Sequence, residues 1–195
     1  MQLVNYSILG LQNTKRSTII QKANPPDKNC MFVDPAGLPF IQKLGPSKAG
    51  GASAAVYRYI GIHKDMVFPI AVRNAVRNVG DAYCHVYKDI YNCCHVIGPD
   101  FSTMVPEPTK SEAIRLLQRV YRNIFKEFVL SGLKKLRLLP VSGGIFSGKF
   151  TKIIPELTFI AINKEFHKFD FSKKTIEMCI YNESDFDSFK IFLTV

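Results

Sequence analysis

Leu138-Leu139-Pro140-Val141-Ser142-Gly143-Gly144-Ile145-Phe146-Ser147-Gly148 runs from an apolar stretch into a glycine-rich loop and on toward a helix-like segment. A buried strand that ends this way sets backbone N–H groups at a helix entrance, where they can cradle phosphate. A second small-residue loop, Ala49-Gly50-Gly51-Ala52-Ser53, also leads into a helical pattern. Two such loops on one sheet predict a ligand that carries two phosphates. In open α/β sheets ligands sit outside the carboxyl ends of the strands. Strand ends expected at Val33, Ile97 and Tyr181 fall on the same edge as both loops.

Outward from these loops, the pattern reads as alternating strands and helices. Leu3 to Leu11 reads as a first strand and Thr14 to Ala23 as a short helix, stopped at Asn24-Pro25-Pro26 because proline cannot continue one. Cys30 to Val33 is a short apolar run of the kind a buried central strand shows. Pro35 to Gly51 is loop-rich, and Ser53 to Ile60 looks helical. Tyr83 to Tyr87 and Tyr91 to Ile97 are strands about a turn at Lys88-Asp89, the second ending at Gly98-Pro99. Thr109 with Glu112 forms a capping box, and Gly132 stops the helix it opens. Between them Ile114, Leu117, Tyr121, Ile124 and Phe128 recur at helical spacing, with Arg115, Arg119, Arg122 and Lys126 on the opposite face. Leu136 to Val141 and Thr175 to Tyr181 read as strands, and Pro155 to Phe166 and Asp185 to Leu193 as helices. The expected fold class is α/β, a three-layer α/β/α sandwich with a mixed central sheet.

The 195 residues are 47% hydrophobic and 22% charged. They predict one globular domain spanning 1–195. No apolar run approaches the ~20 residues of a membrane span, and Met1 to Tyr6 lacks the features of a signal peptide. Cys30, Cys84, Cys93, Cys94 and Cys179 are odd in number and sit mostly in strand-like runs. That pattern predicts reduced thiols in a cytoplasmic or nuclear protein. Cys93 and Cys94 with His85 and His95 lack the spacing of a structural zinc site, so neither metal nor cofactor is expected. The net charge of +10 favours anionic partners. It is spread along the chain, as a solvated surface would be.

The order of parts resembles the macrodomain family of ADP-ribose-binding modules, and the viral members most. His95-Val96-Ile97-Gly98-Pro99-Asp100-Phe101 is similar to the family's H-x-V-G-P-N stretch. The long helix follows, then Leu139 to Gly148, similar to its P-x-x-S-[TSA]-G-[IV]-[FY]-[GS] loop. Gly50 to Tyr57 is similar to its G-G-G-V-x-x-A-I/V segment. The resemblance implies that the amides of Gly50, Gly51 and Ala52 hold one phosphate, with Ser53 in the same loop. It implies that Ser142, Gly143, Gly144, Ile145 and Phe146 hold the other, with Phe146 over the distal ribose. Tyr181 would lie against adenine, and Asn182 near the proximal ribose.

The departures from the family pattern are specific. An adenine-reading Asp usually ends the first strand, where Gly10 or Ser7 stands here. The family's second strand ends in N-A-A-N, whose last Asn holds the distal ribose, and two registers compete for it. One assigns that role to Asn24. The other aligns Val33-Asp34-Pro35-Ala36-Gly37 and loses the asparagine to Gly37. The second is preferred because Cys30 to Val33 makes the better buried strand. The acidic loop residue of many hydrolytic members is here Ser53. Hydrolysis needs an oriented water and a group that stabilises developing charge. Asp34 is the one carboxylate placed near the pocket, and it also suits a turn before Pro35. His85 and His95 suit structural roles, and Ser142 has no base partner that would make it a nucleophile.

The leading expectation is a monomeric module that binds ADP-ribose or an ADP-ribosylated protein, with no membrane partner. A rival is an ADP-ribosyl hydrolase or ADP-ribose phosphate phosphatase. A third is a degenerate member that binds RNA or a protein through its basic surface.

Overall fold

A computed structural model describes residues 1–193. Its centre is a six-stranded mixed sheet in the order β1-β8-β7-β4-β6-β5. The strands are β1 (Gln2–Val4), β4 (Cys30–Ala36), β5 (Ala82–Tyr87), β6 (Tyr91–Ile97), β7 (Lys135–Leu138) and β8 (Thr175–Cys179). All neighbours are parallel except β5 and β6. A separate antiparallel hairpin joins β2 (Leu11–Asn13) to β3 (Ile19–Gln21).

Alternation along β4 assigns the two faces. Met31 and Val33 point into a core shared with α3 (Lys110–Leu130), α4 (Ile154–Phe166) and α5 (Glu183–Lys190). Phe32 and Ala36 point into a second core with α1 (Gly51–Ile60) and α2 (Ile70–Ala75). The result is helices on both faces of one sheet, and every residue of β4 but Pro35 is buried. Pro35 is tolerated in a central strand because β4 pairs with β7 only as far as Phe32. Its absent N–H therefore breaks no ladder bond on that side.

The capping box at Thr109 forms as expected: its hydroxyl accepts from the Glu112 amide and the Glu112 carboxylate accepts from the Thr109 amide. The Lys88-Asp89 turn also forms, with both residues at positive φ. The segment before β4 corrects the sequence reading. The first strand stops at Val4, and Leu11 begins a different one. Gly10 turns at φ 83° so close to the Ala23 carbonyl that a side chain there would collide with it. Thr14 to Ala23 is not a helix. Its β-branched Ile19 and Ile20 pair as a strand with Leu11–Asn13, and the run is too short for helical periodicity to form an apolar face. Strands β7 and β8 end two to three residues earlier than the sequence suggests. The short helix α2 was not anticipated.

Arg137 anchors this first segment to the sheet. Its Nε donates to Glu177 at 2.9 Å, and its Nη1 donates to the carbonyls of Ile8 and Asn24. Asn13 meets Asn182 across an isolated parallel bridge, which holds the hairpin beside the end of β8.

Candidate functional site

Both glycine loops line one cleft of about 310 Å³ at the carboxyl edge of the sheet. Ala49 to Ser53 forms one wall. Gly50 is the N-cap of α1 and offers no side-chain cap. The amides of Gly51, Ala52 and Ser53 therefore have no partner within the helix, and the helix dipole adds positive potential there. Leu139 to Phe146 forms the other wall. Gly37 and Phe40 close one end, where the Phe146 ring lies about 3.4 Å from the position a Gly37 side chain would take. Among the described residues that line this cleft, none carries a charged side chain.

The second loop is braced from behind. Ser142 sits in the left-handed region at φ 61°, and its buried hydroxyl donates to the Pro99 carbonyl at 2.6 Å. That commitment leaves it as a brace, not a nucleophile. A side chain at Gly98 would lie 2.5 Å from Val141 and 2.6 Å from the Ser142 oxygen, so only glycine permits the two loops to touch. The Phe101 amide donates to the Phe146 carbonyl at 2.9 Å. The Gly98-Pro99 stretch thus holds the second glycine loop in shape.

A second chamber of about 490 Å³ shares Leu139, Pro140, Gly143 and Gly144 with the first. Tyr181 and Asn182 line it, together with Lys152, Asp185 and Ser188, which the sequence reading did not single out. Asp185 accepts from the Asn182 side chain at 2.8 Å. Only the chain's return as α5 brings Asp185 to this wall, so no local motif marked it.

Asn24 is not brought to the cleft. Tyr59, in the last turn of α1, donates to the Pro26 carbonyl. This places Asn24 to Pro26 by the carboxyl end of α1, whereas the cleft lies at its amino end. Asn24 is also bound through its carbonyl to Arg137. Asn24 therefore lies away from the cleft, and Gly37, just past the end of β4, lines it.

Beneath the cleft floor lies a buried polar network. Asp34 and His95 face each other across β4 and β6, both fully buried. One Asp34 carboxylate oxygen accepts from the Tyr57 hydroxyl and from His95 Nδ1, each at 2.7 Å. With Nδ1 protonated, His95 Nε2 accepts from the Tyr87 hydroxyl at 2.8 Å. Burial, then the Asp34 charge, pushes the Tyr57 hydroxyl pKa well above its ordinary value. Burial raises that of Tyr87 as well. Asp34 is thus a structural acceptor under α1 and is not exposed to the cleft. Tyr57 does line the cleft. Its position one turn after Ser53, on the inward face of α1, was the signal for it.

No protein-family model matches the chain, and no curated protein is similar to it in sequence. Solved structures are similar in fold. A mutant of the Oceanobacillus iheyensis macrodomain with ADPR superposes at a TM-score of 0.61 and 13% identity, covering 84% of each chain. The Trypanosoma brucei macrodomain in complex with ADP gives 0.57 and 14%, over 84% of this chain and 62% of that one. An alphavirus P23pro-zbd gives 0.58 and 16%, over 86% of this chain but 22% of that one. The chain has the macrodomain fold: a mixed six-stranded sheet between two layers of helices. Its low identity to these structures is that of a divergent example.

Proposed function

We propose that the double cleft binds ADP-ribose or a closely related nucleotide. The observation that carries this reading is the convergence of two backbone-lined loops on one cleft free of charged side chains. Such a site holds phosphate through oriented amides and a helix amino end, and it suits a diphosphate whose charge is shared between two loops. The amides of Gly50, Gly51 and Ala52, beside Ser53, take one phosphate. Those of Gly144, Ile145 and Phe146 take the other, on the loop braced by Ser142 and by the Gly143 amide, which donates to the Pro140 carbonyl at 3.1 Å. Phe146 covers the distal ribose, and the second chamber receives the adenosine part between Tyr181 and Asn182. Similar folds solved with ADP or ADPR support the same choice of ligand.

Titration calorimetry with ADP-ribose tests it directly. Wild-type protein binds, and Gly144→Val binds at least about tenfold more weakly, a loss of about 1.4 kcal/mol. Gly144 lines both chambers and a Cβ on it meets nothing within 4 Å, so the substitution adds bulk at the site without disturbing the core. Equal affinity of the two proteins would reduce the loop to a turn.

A further inference from the structure

The chain leaves the cleft at Phe40 and returns to it at Ala49. The outer part of this excursion is fixed to the loop that precedes α2. Gly45, at φ 74°, packs so close to the Met66 carbonyl that any side chain there would collide. The Ser47 amide donates to the Asp65 carbonyl at 3.1 Å. Leu44, next to Gly45, and the successive Met66 and Val67 lie on these two joined segments, and Ile70 opens α2 three residues on; Leu44 is 45% exposed, Met66 64%, Val67 59% and Ile70 68%. Single exposed apolar residues are ordinary, but a contiguous group marks a contact surface. Lys43, Lys48 and Lys64 are exposed beside them, and among the described residues none is held in an ion pair. Asp65 is the one carboxylate on these segments.

We propose that this lysine-flanked apolar rim binds the polypeptide to which the ADP-ribose is attached, and that it selects acidic acceptor segments bearing aliphatic side chains. The inference rests on the nucleotide reading of the cleft. The rim is continuous with the cleft mouth at Phe40 and Ala49, on the Gly37 and Phe146 side assigned to the distal ribose. A chain attached to that ribose emerges there and meets the rim. The positive charge sets the sign of its partner, and the four apolar side chains supply area for it to cover.

The test is titration of the full chain with four ligands. They are free ADP-ribose, an acidic aliphatic peptide carrying one ADP-ribose, a lysine-rich peptide carrying one, and the acidic peptide unmodified. Linking two contacts in one ligand raises its affinity. The acidic conjugate is expected to bind at least about tenfold tighter than free ADP-ribose, and the lysine-rich one no tighter. The double variants Met66→Ser with Val67→Ser, and Lys43→Glu with Lys64→Glu, keep the affinity for free ADP-ribose and lose that advantage. High salt weakens the acidic conjugate most, because exposed charges are screened. Equal affinity of both conjugates and free ADP-ribose overturns the proposal, as does an advantage that survives both double variants. A dimer in sedimentation that Met66→Ser dissolves also overturns it, by assigning the patch to a second copy of this chain. Failure of free ADP-ribose alone refutes the cleft reading instead. The unmodified acidic peptide then decides the rim: weak binding lost in both double variants supports it, and no binding refutes it.

Discussion

Replacing Tyr57 with Phe deletes one oxygen from the network under the cleft and leaves the ring in place. That oxygen donates to Asp34 at 2.7 Å, and both residues are fully buried. In the variant, Asp34 keeps only the His95 N–H on that carboxylate oxygen. A hydrogen bond to a charged group contributes about 1.5–3 kcal/mol, and an acceptor stripped of its partner inside a protein cannot recover it from water. The variant no longer has to desolvate a hydroxyl, which places the loss toward the middle, about 2 kcal/mol. For a chain of this size that lowers Tm by roughly 4–8 °C. Tyr59→Phe is the control. It removes the same atom, but its acceptor is the neutral carbonyl of Pro26 at a half-buried site, so the loss is about 1 kcal/mol or less. Thermal melts followed by circular dichroism at neutral pH would compare the two. If Tyr57→Phe melts with the wild type, or loses no more than Tyr59→Phe, Asp34 is not the buried acceptor described here.

Three further outcomes are expected. Thr109→Ala removes the cap of the 21-residue α3 and should cost about 1 kcal/mol in a denaturant titration. The Arg122 hydrogen bond, with help from Lys168, holds the Glu165 carboxyl below its ordinary value of 4.5. The stability this contributes is present above 4.5 and lost as pH falls through the lower folded value. Arg122→Met should therefore flatten the acid limb of the stability profile, and an unchanged limb would dismiss the pair. Release of ADP-ribose from an automodified protein should be absent or slow beside an active macrodomain. On the reading proposed for the cleft, Ser53 stands in place of the acidic loop residue and Gly37 in place of the distal asparagine, and among the described residues no carboxylate lines the inner cleft. Each oriented polar group lost at a reacting centre costs roughly a hundredfold or more, so turnover comparable to the active control would refute this reading.

What was legible in the sequence was local. Thr109 and Glu112 specify a cap within four residues, and the Lys88-Asp89 turn joins two strands that pair with each other. Gly50-Gly51 and Gly143-Gly144 mark their loops by composition alone. What escaped depends on register or on distant chain. Ile19 and Ile20 form a strand because Leu11–Asn13 lies opposite and Asn182 holds the hairpin. Asp34 and His95 meet only because β4 and β6 pair with those two residues opposite each other. Tyr181 and Asn182 were legible as residues at the exit of the last strand, although β8 itself stops at Cys179, but Asp185 beside them was not, because α5 folds back over a chamber that no local pattern announces.

The sheet order has a kinetic consequence. Among the described residues Gln2–Val4 pairs with no strand except Thr175–Cys179, so that edge can close only after Thr175–Cys179 has been synthesised. Contacts between such distant segments bear a large loop-closure entropy and form slowly. The Ala49 to Ser53 wall follows β4, and the Leu139 to Phe146 wall follows β7, its direct neighbour, and is braced by Pro99 and Phe101, which come earlier in the chain. The Tyr181 chamber, held by Asn13 against Asn182, has to wait until those two segments have met. During folding, both cleft walls are therefore in place before the chamber beside them, and on the reading proposed for the cleft a nucleotide present at that stage is held by its phosphates first.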